Sequence, residues 1–202
     1  LACGSCYIFS AIDAAEMAFM KAGAITVTGG GLSEQYYLDC KSVGGCDGGW
    51  PAEVIEIAIS SGTPTTADYG PYKGSPGTCK QGTKLLKVAT YGYCTPSQQS
   101  GIATVQDIKN CMVRYGPIST CVDATYFSNY ESGVFSGTGT QINHAVILCG
   151  WDDTKGAWKP RNQWGTGWGE KGYMWIKYGA YSVGTESFWG AVESQPPPPP
   201  PA

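Results

Sequence analysis

The stretch Cys3-Gly4-Ser5-Cys6-Tyr7 stands at the start of a long amphipathic pattern. Apolar side chains recur after it at intervals of three and four residues, at Ile8, Ile12, Ala15 and Phe19. This spacing predicts a helix with one buried face, beginning at Cys6 and ending near Lys21 and Gly23. The Cys6 thiol would then lie at a helix N-terminus, where the helix dipole favours the thiolate over the thiol.

The rest of the pattern divides the chain into a helical first half and a strand-rich second half. Ser33 can cap a short helix, and Pro51 suits the first turn of another helix that ends before Gly62. Apolar runs then predict strands at 118–122, 145–149 and 173–178, with one further helix at about 104–115. This segregation favours an α+β fold in which a helical domain packs on a sheet or barrel domain.

The composition argues against two classes of protein. The 202 residues carry a net charge of -3, and Lys and Arg are scattered, so a nucleic-acid binder is not expected. No apolar run is long enough to span a membrane. Nine cysteines indicate folding in the secretory pathway, and the odd number leaves at least one thiol without a partner in the chain.

His144 is the single histidine, and it directly precedes the apolar run 145–148 that predicts a strand. If Cys6 is a nucleophile, His144 must be its base. A zinc site at Cys3 and Cys6 is the alternative, but it would require a second close pair of ligands, and Cys40 and Cys46 are too widely spaced. We therefore expect no metal and no other cofactor.

Five blocks of sequence together resemble the papain and cathepsin family of cysteine peptidases, in that family's order. They are Cys3-Gly4-Ser5-Cys6-Tyr7, the residues 32–40, Gly45-Cys46-Asp47-Gly48-Gly49-Trp50-Pro51, Asn143-His144-Ala145-Val146, and the residues 162–173 that begin Asn162-Gln163-Trp164-Gly165. The first block is a known local signature of the family's nucleophile. The resemblance implies a papain-like two-domain fold, with an N-terminal helical domain packed on a C-terminal antiparallel, barrel-like domain and the active site in the cleft between them.

The resemblance also implies the roles of the reacting groups. Cys6 would attack the scissile carbonyl, His144 would act as base and then acid, and Asn162 would orient the imidazole. Trp164, with Trp168 nearby, would shield the bond between Asn162 and His144 from water. Each residue also has a purely structural alternative. Cys6 could be a half-cystine, His144 a core histidine and Asn162 a turn residue. For Trp164 and Trp168 the alternative is ordinary aromatic packing.

The family pattern pairs Cys3 with Cys46 and Cys40 with Cys79. It leaves four further cysteines, at 94, 111, 121 and 149, among which the sequence does not choose a pairing. Two departures stand out: Gln163 occupies a position where serine is usual, and the family's oxyanion glutamine would fall immediately before Leu1.

Seven positions match the family's substrate-binding residues. They are Gly48, Gly49, Trp50, Pro51, Cys121, Ala145 and Phe188. The two glycines would let an extended peptide approach the backbone. The other five are apolar, with Phe188 expected at the floor, so we expect a shortened pocket that favours Val, Leu or Pro over Phe or Arg two residues before the cut.

These features together predict a cysteine-type endopeptidase acting on peptide or protein substrates. The helical domain would span 1–90, the sheet domain 91–194, and 195–202 a polyproline tail that acts as a spacer or as a ligand for an aromatic groove. A pro-segment or further domain is expected outside this chain. The protein itself is expected in the secretory pathway, with an extracellular, lysosomal or vacuolar location. The alternative is a catalytically weak or inactive papain-like domain that serves as a structural or interaction module of an extracellular assembly.

Overall fold

The first half of the protein is mainly helical, as the sequence predicts, with a short fourth helix that was not predicted. The computed structural model describes residues 3–26, 31–41 and 43–192, so the polyproline stretch lies outside the described residues. Four helices come first: α1 (Cys6–Lys21), α2 (Glu34–Cys40), α3 (Pro51–Ser60) and the short α4 (Thr66–Tyr69). The Ser33 hydroxyl caps α2 by accepting a hydrogen bond from the Tyr36 amide, and Pro51 lies in the first turn of α3.

The second half forms one sheet with a helix packed on it. The strands are β1 (Thr90–Tyr93), β2 (Ile118–Val122), β3 (Val134–Phe135), β4 (His144–Asp152), β5 (Ala157–Arg161), β6 (Trp175–Lys177) and β7 (Thr185–Ala191), in the order β1-β7-β2-β4-β5-β6-β3. The helix α5 (Val105–Tyr115) begins with a capping box between Thr104 and Asp107. One pairing differs from the antiparallel expectation, because β3 and β6 run parallel. A long connection separates these two strands, as parallel pairing requires.

Helix α1 packs directly on the sheet. The buried Ser10 hydroxyl donates to the Val146 carbonyl at 2.7 Å and lies 2.7 Å from the Ser119 hydroxyl, so it bonds to both β4 and β2. Ile147 and Phe188 of the sheet belong to the apolar cluster around α1, α2 and α3, while a second cluster lies beneath α5. The first residue of α1 is thereby held against the start of β4.

Three disulfide bonds connect these elements. Two of them, Cys3–Cys46 and Cys40–Cys79, are the bonds that the resemblance implies. The third, Cys94–Cys111, joins the end of β1 to α5. Cys6, Cys121 and Cys149 keep free thiols.

Neither a membrane-spanning helix nor a metal cluster is found in the described residues. None of the helices there is both long and apolar enough to cross a bilayer. The same residues contain no group of three or more His, Cys, Asp or Glu side chains that could hold a metal ion.

Three acidic side chains line a cavity of about 650 Å³ beside α1. Burial raises the pKa of Asp13 to about 6, of Glu16 to about 7 and of Glu34 to about 8. The guanidinium of Arg161, 3.2 Å from Asp13, opposes the shift of that group. The folded protein therefore binds protons at these sites more tightly than the unfolded chain does.

The raised pKa values predict that the protein is more stable in mild acid than in mild base. A raised carboxyl pKa gives stability that is fully present below the unfolded pKa and is lost as the pH rises through the folded value, here between about pH 4 and pH 8. Chemical denaturation should give an unfolding free energy at pH 5 that exceeds the value at pH 8 by at least about 1.4 kcal/mol, which corresponds to one pKa unit.

Glu34→Gln should weaken this pH dependence, because the amide cannot ionise, and should stabilise the protein at pH 8. Glu131→Gln, at an exposed position, serves as the matched control and should leave the pH dependence unchanged. An unfolding free energy that rises from pH 5 to pH 8 would contradict this explanation.

Candidate active site

His144 and Asn162 form a hydrogen-bonded pair at the edge of the sheet. His144 is the first residue of β4, opposite Val122 of β2, and Asn162 directly follows β5. Asn162 Oδ1 lies 2.8 Å from His144 Nε2 and also accepts the Gln163 amide at 3.0 Å. Since an amide oxygen only accepts, Nε2 must carry the proton. The other ring nitrogen, Nδ1, is then available as a base.

Cys6 reaches the same place from the other half of the fold. It is the first residue of α1, and its side chain lies against the main chain of Ala145, the residue after His144. The Gln163 side chain donates from Nε2 to the Cys6 carbonyl at 3.1 Å and to the Ala145 carbonyl at 3.0 Å. The structure thus pairs His144 with Asn162 and places the Cys6 thiol against Ala145, the residue that follows His144.

Burial favours the neutral forms of both Cys6 and His144. It raises the pKa of the Cys6 thiol, although main-chain hydrogen bonds from Ala145, Tyr7 and Cys6 itself act in the opposite direction. Burial also lowers the pKa of His144, while the bond to Asn162 counteracts this. Neither charge is favoured alone, so a thiolate and an imidazolium would have to form together and stabilise each other.

Two indole rings adjoin the imidazole. The Trp164 ring centroid lies 5.2 Å from that of His144, and the side chain is 45% exposed. Trp168 lies 5.4 Å from Trp164, and its Nε1 donates to the Phe127 carbonyl at 3.0 Å. Trp164 therefore contacts the imidazole while part of its surface stays exposed, and Trp168 packs against Trp164.

The two glycines expected to bind substrate also have structural reasons to be glycine. Gly48 has φ +98, a conformation that L side chains rarely adopt. A Cβ at Gly49 would lie 2.6 Å from the Val43 carbonyl oxygen and 2.7 Å from the Tyr7 ring. Both residues, with the half-exposed Trp50, remain accessible to a ligand.

The other expected pocket residues are buried. Cys121 and Ala145 are paired across β2 and β4, next to the Cys6 thiol, and Pro51 begins α3. Phe188 is fully buried and contacts Tyr91 and Tyr93, so these rings surround the side chain expected at the pocket floor.

Sequence reasoning missed two side chains of this region. Glu186 lies where the pairing of β7 with β2 shifts, with φ +50. Its charge contributes to the raised pKa of Cys121, after burial, which has the larger effect. A bulge changes the direction of a side chain locally, and no regular sequence pattern predicts where a bulge occurs. Gln163 was visible only as a departure from the usual serine.

Comparisons with known proteins agree with this geometry. A model of the family described as papain family cysteine protease matches residues 1–190. The chain is 35% identical to ananain of Ananas comosus over 180 residues, covering 85% of this chain and 49% of that protein. It is 37% identical to cysteine proteinase RD21A of Arabidopsis thaliana, covering 85% of this chain and 37% of that protein. The chain thus spans half or less of the length of these curated relatives.

Two solved structures show the same fold. The bromelain protease from Ananas comosus in complex with the E64 inhibitor matches with a TM-score of 0.79 and 31% identity, over 95% of this chain and 90% of that chain. Digestive procathepsin L 3 of the Tenebrio molitor larval midgut matches with a TM-score of 0.79 and 26% identity, over 94% and 64%. On the extent of the family match and the shared fold, the chain belongs to the papain family of cysteine proteases.

Proposed function

We propose that the protein is a cysteine-type endopeptidase in which Cys6 is the nucleophile, His144 the base and Asn162 the residue that orients the imidazole. The observation that carries this proposal is the 2.8 Å contact between His144 Nε2 and Asn162 Oδ1, which leaves Nδ1 free to serve a thiol at the start of α1. Family membership supports the reaction class.

In the proposed reaction, Nδ1 of His144 takes the Cys6 proton and the thiolate attacks the carbonyl carbon of the scissile peptide bond. The carbonyl oxygen becomes an oxyanion, to which the Cys6 amide at the N-terminus of α1 can donate. The imidazolium then gives its proton to the leaving amine as the C–N bond breaks, which leaves a thioester. Water, deprotonated by His144, hydrolyses the thioester and restores the thiol.

The packing of α1 on the sheet supports a substrate cleft between a helical domain over 1–90 and a sheet domain over 91–194. Peptides or proteins would bind there, next to Gly48 and Gly49. The three disulfide bonds support folding in the secretory pathway, with an extracellular, lysosomal or vacuolar destination. A pro-segment or further domain is a natural partner, since one structural neighbour is a procathepsin.

Single substitutions should rank the three proposed catalytic residues. We expect Cys6→Ser to abolish hydrolysis of a fluorogenic peptide, because a serine hydroxyl is a far weaker nucleophile than a cysteine thiolate. His144→Ala should lower kcat/KM by at least about 10³-fold. Asn162→Ala should have a smaller effect, because this residue acts through the imidazole.

Cys149→Ala is the matched control, since Cys149 is another free thiol and should be dispensable. Circular dichroism should show that all four variants remain folded. Full activity in Cys6→Ser would overturn the proposal, and a folded but inert wild-type protein would favour the structural module.

We further propose that the pocket for the second residue before the cut is apolar, because the five side chains expected to line it, those of Trp50, Pro51, Cys121, Ala145 and Phe188, are all apolar. A dipeptide panel should give kcat/KM for Val, Leu or Pro at least about tenfold above that for Phe or Arg, the scale on which a hydrophobic pocket discriminates. Glu186, within electrostatic reach of Cys121, is the acidic side chain that would assist a basic residue.

Glu186→Gln should therefore lower the residual rate with Arg and leave the rate with Leu unchanged, whereas Glu131→Gln should alter neither. A clear preference for Arg in the wild-type protein would contradict the apolar pocket. If Glu186→Gln then abolished that preference, Glu186 would be identified as its origin.

A further inference from the structure

The side chain of Gln163 bridges the two halves of the proposed active site. Its Nε2 donates to the carbonyl of Cys6 on α1, at 3.1 Å, and to the carbonyl of Ala145 on β4, at 3.0 Å. Its main-chain amide donates to Asn162 Oδ1 at 3.0 Å. One residue thus contacts the proposed nucleophile, the neighbour of the proposed base and the proposed orienting residue.

Strand pairing explains why a side chain is needed at this point. The β4–β5 ladder pairs Ile147 with Arg161 at its end, and continuing that register would place residue 163 opposite Ala145. The chain leaves the sheet at Asn162 instead, so the ladder stops. The side-chain amide of Gln163 donates to the Ala145 carbonyl in place of the main-chain partner that a longer β5 would have supplied. The same amide group also donates to the Cys6 carbonyl on α1.

The chemistry of the contacts fixes the orientation of the amide. Both partners are carbonyl oxygens, which only accept, so the NH₂ group must face them. The opposite atom, Oε1, is buried and has no hydrogen-bond partner among the described residues. A buried unpaired acceptor costs free energy. The two hydrogen bonds donated by Gln163 Nε2 therefore form at the cost of leaving Oε1 unpaired.

We propose that Gln163 is a positioning residue that sets the separation between the Cys6 thiol and the His144 imidazole. This inference rests on the proposed function. A serine hydroxyl has one proton to donate and a short reach, so it cannot donate to both carbonyls at once. Gln163, with two amide protons on a longer side chain, joins helix and strand across the interface, which holds the ion pair at its working distance.

Gln163→Met tests this directly, because methionine has a similar length but no donor. We expect kcat for a fluorogenic peptide to fall about tenfold or more, with KM within about twofold, since misplacement of about 1 Å costs up to 10²-fold. The pKa of the acidic limb in Cys6 alkylation by iodoacetamide should rise by about half a unit or more, because a more distant imidazolium stabilises the thiolate less. Gln163→Asn keeps both protons on a shorter arm and should give intermediate values.

The matched control is Gln106→Met on the exposed surface of α5, which should leave both measurements unchanged. Wild-type kcat and alkylation profile in Gln163→Met, with only a lower Tm, would overturn the inference and leave Gln163 as a structural residue. If Gln163→Met fails to fold, the same comparison with Gln163→Asn decides. A wild-type protein without hydrolysis or Cys6 alkylation would instead overturn the proposed function, and this inference with it.

Discussion

The packing of α1 on β2 and β4 is the constraint on which the proposed site depends. Cys6 and His144 lie on separate elements, so the distance between thiol and imidazole follows from how closely the helix approaches the sheet. Small side chains such as Ala11, Ala14 and Ala15 are buried along α1, and the Ser10 hydroxyl bonds to both strands. Any change that moves the helix would also move the proposed nucleophile.

The burial of Cys6 and His144 makes a charge on either group costly. It raises the pKa of Cys6 and lowers that of His144, so each group by itself prefers to be neutral. The helix N-terminus favours the thiolate and the bond to Asn162 raises the pKa of His144, so both oppose this cost. Elsewhere along α1, burial raises the pKa of Glu16, so proton binding and interface packing are linked there as well.

The features that were predictable from the sequence are those governed by local rules. The α1 pattern, the Ser33 cap and Pro51 at the first turn of α3 each depend on residues close in sequence, and each has the expected structure. The proposed catalytic residues could be named because one histidine and five motif blocks left few choices.

The features that escaped prediction depend on distant partners. The parallel pairing of β3 with β6 and the choice of Cys94–Cys111 require knowledge of which segments meet in space. Glu186 depends on a register shift between β7 and β2. The Gln163 bridge depends on where β5 leaves the sheet, which no sequence period encodes.

Site-resolved alkylation tests most directly whether the His144 imidazole activates one of the three free thiols. Native protein would be treated with iodoacetamide at pH 6 and the modification of Cys6, Cys121 and Cys149 measured by mass spectrometry. We predict that Cys6 reacts at least about 100-fold faster than the other two, because the thiolate is the reactive form and only Cys6 would share its proton with an imidazole, and that His144→Ala removes the difference. Equal rates at the three thiols, or a Cys6 rate unaffected by His144→Ala, would contradict this mechanism.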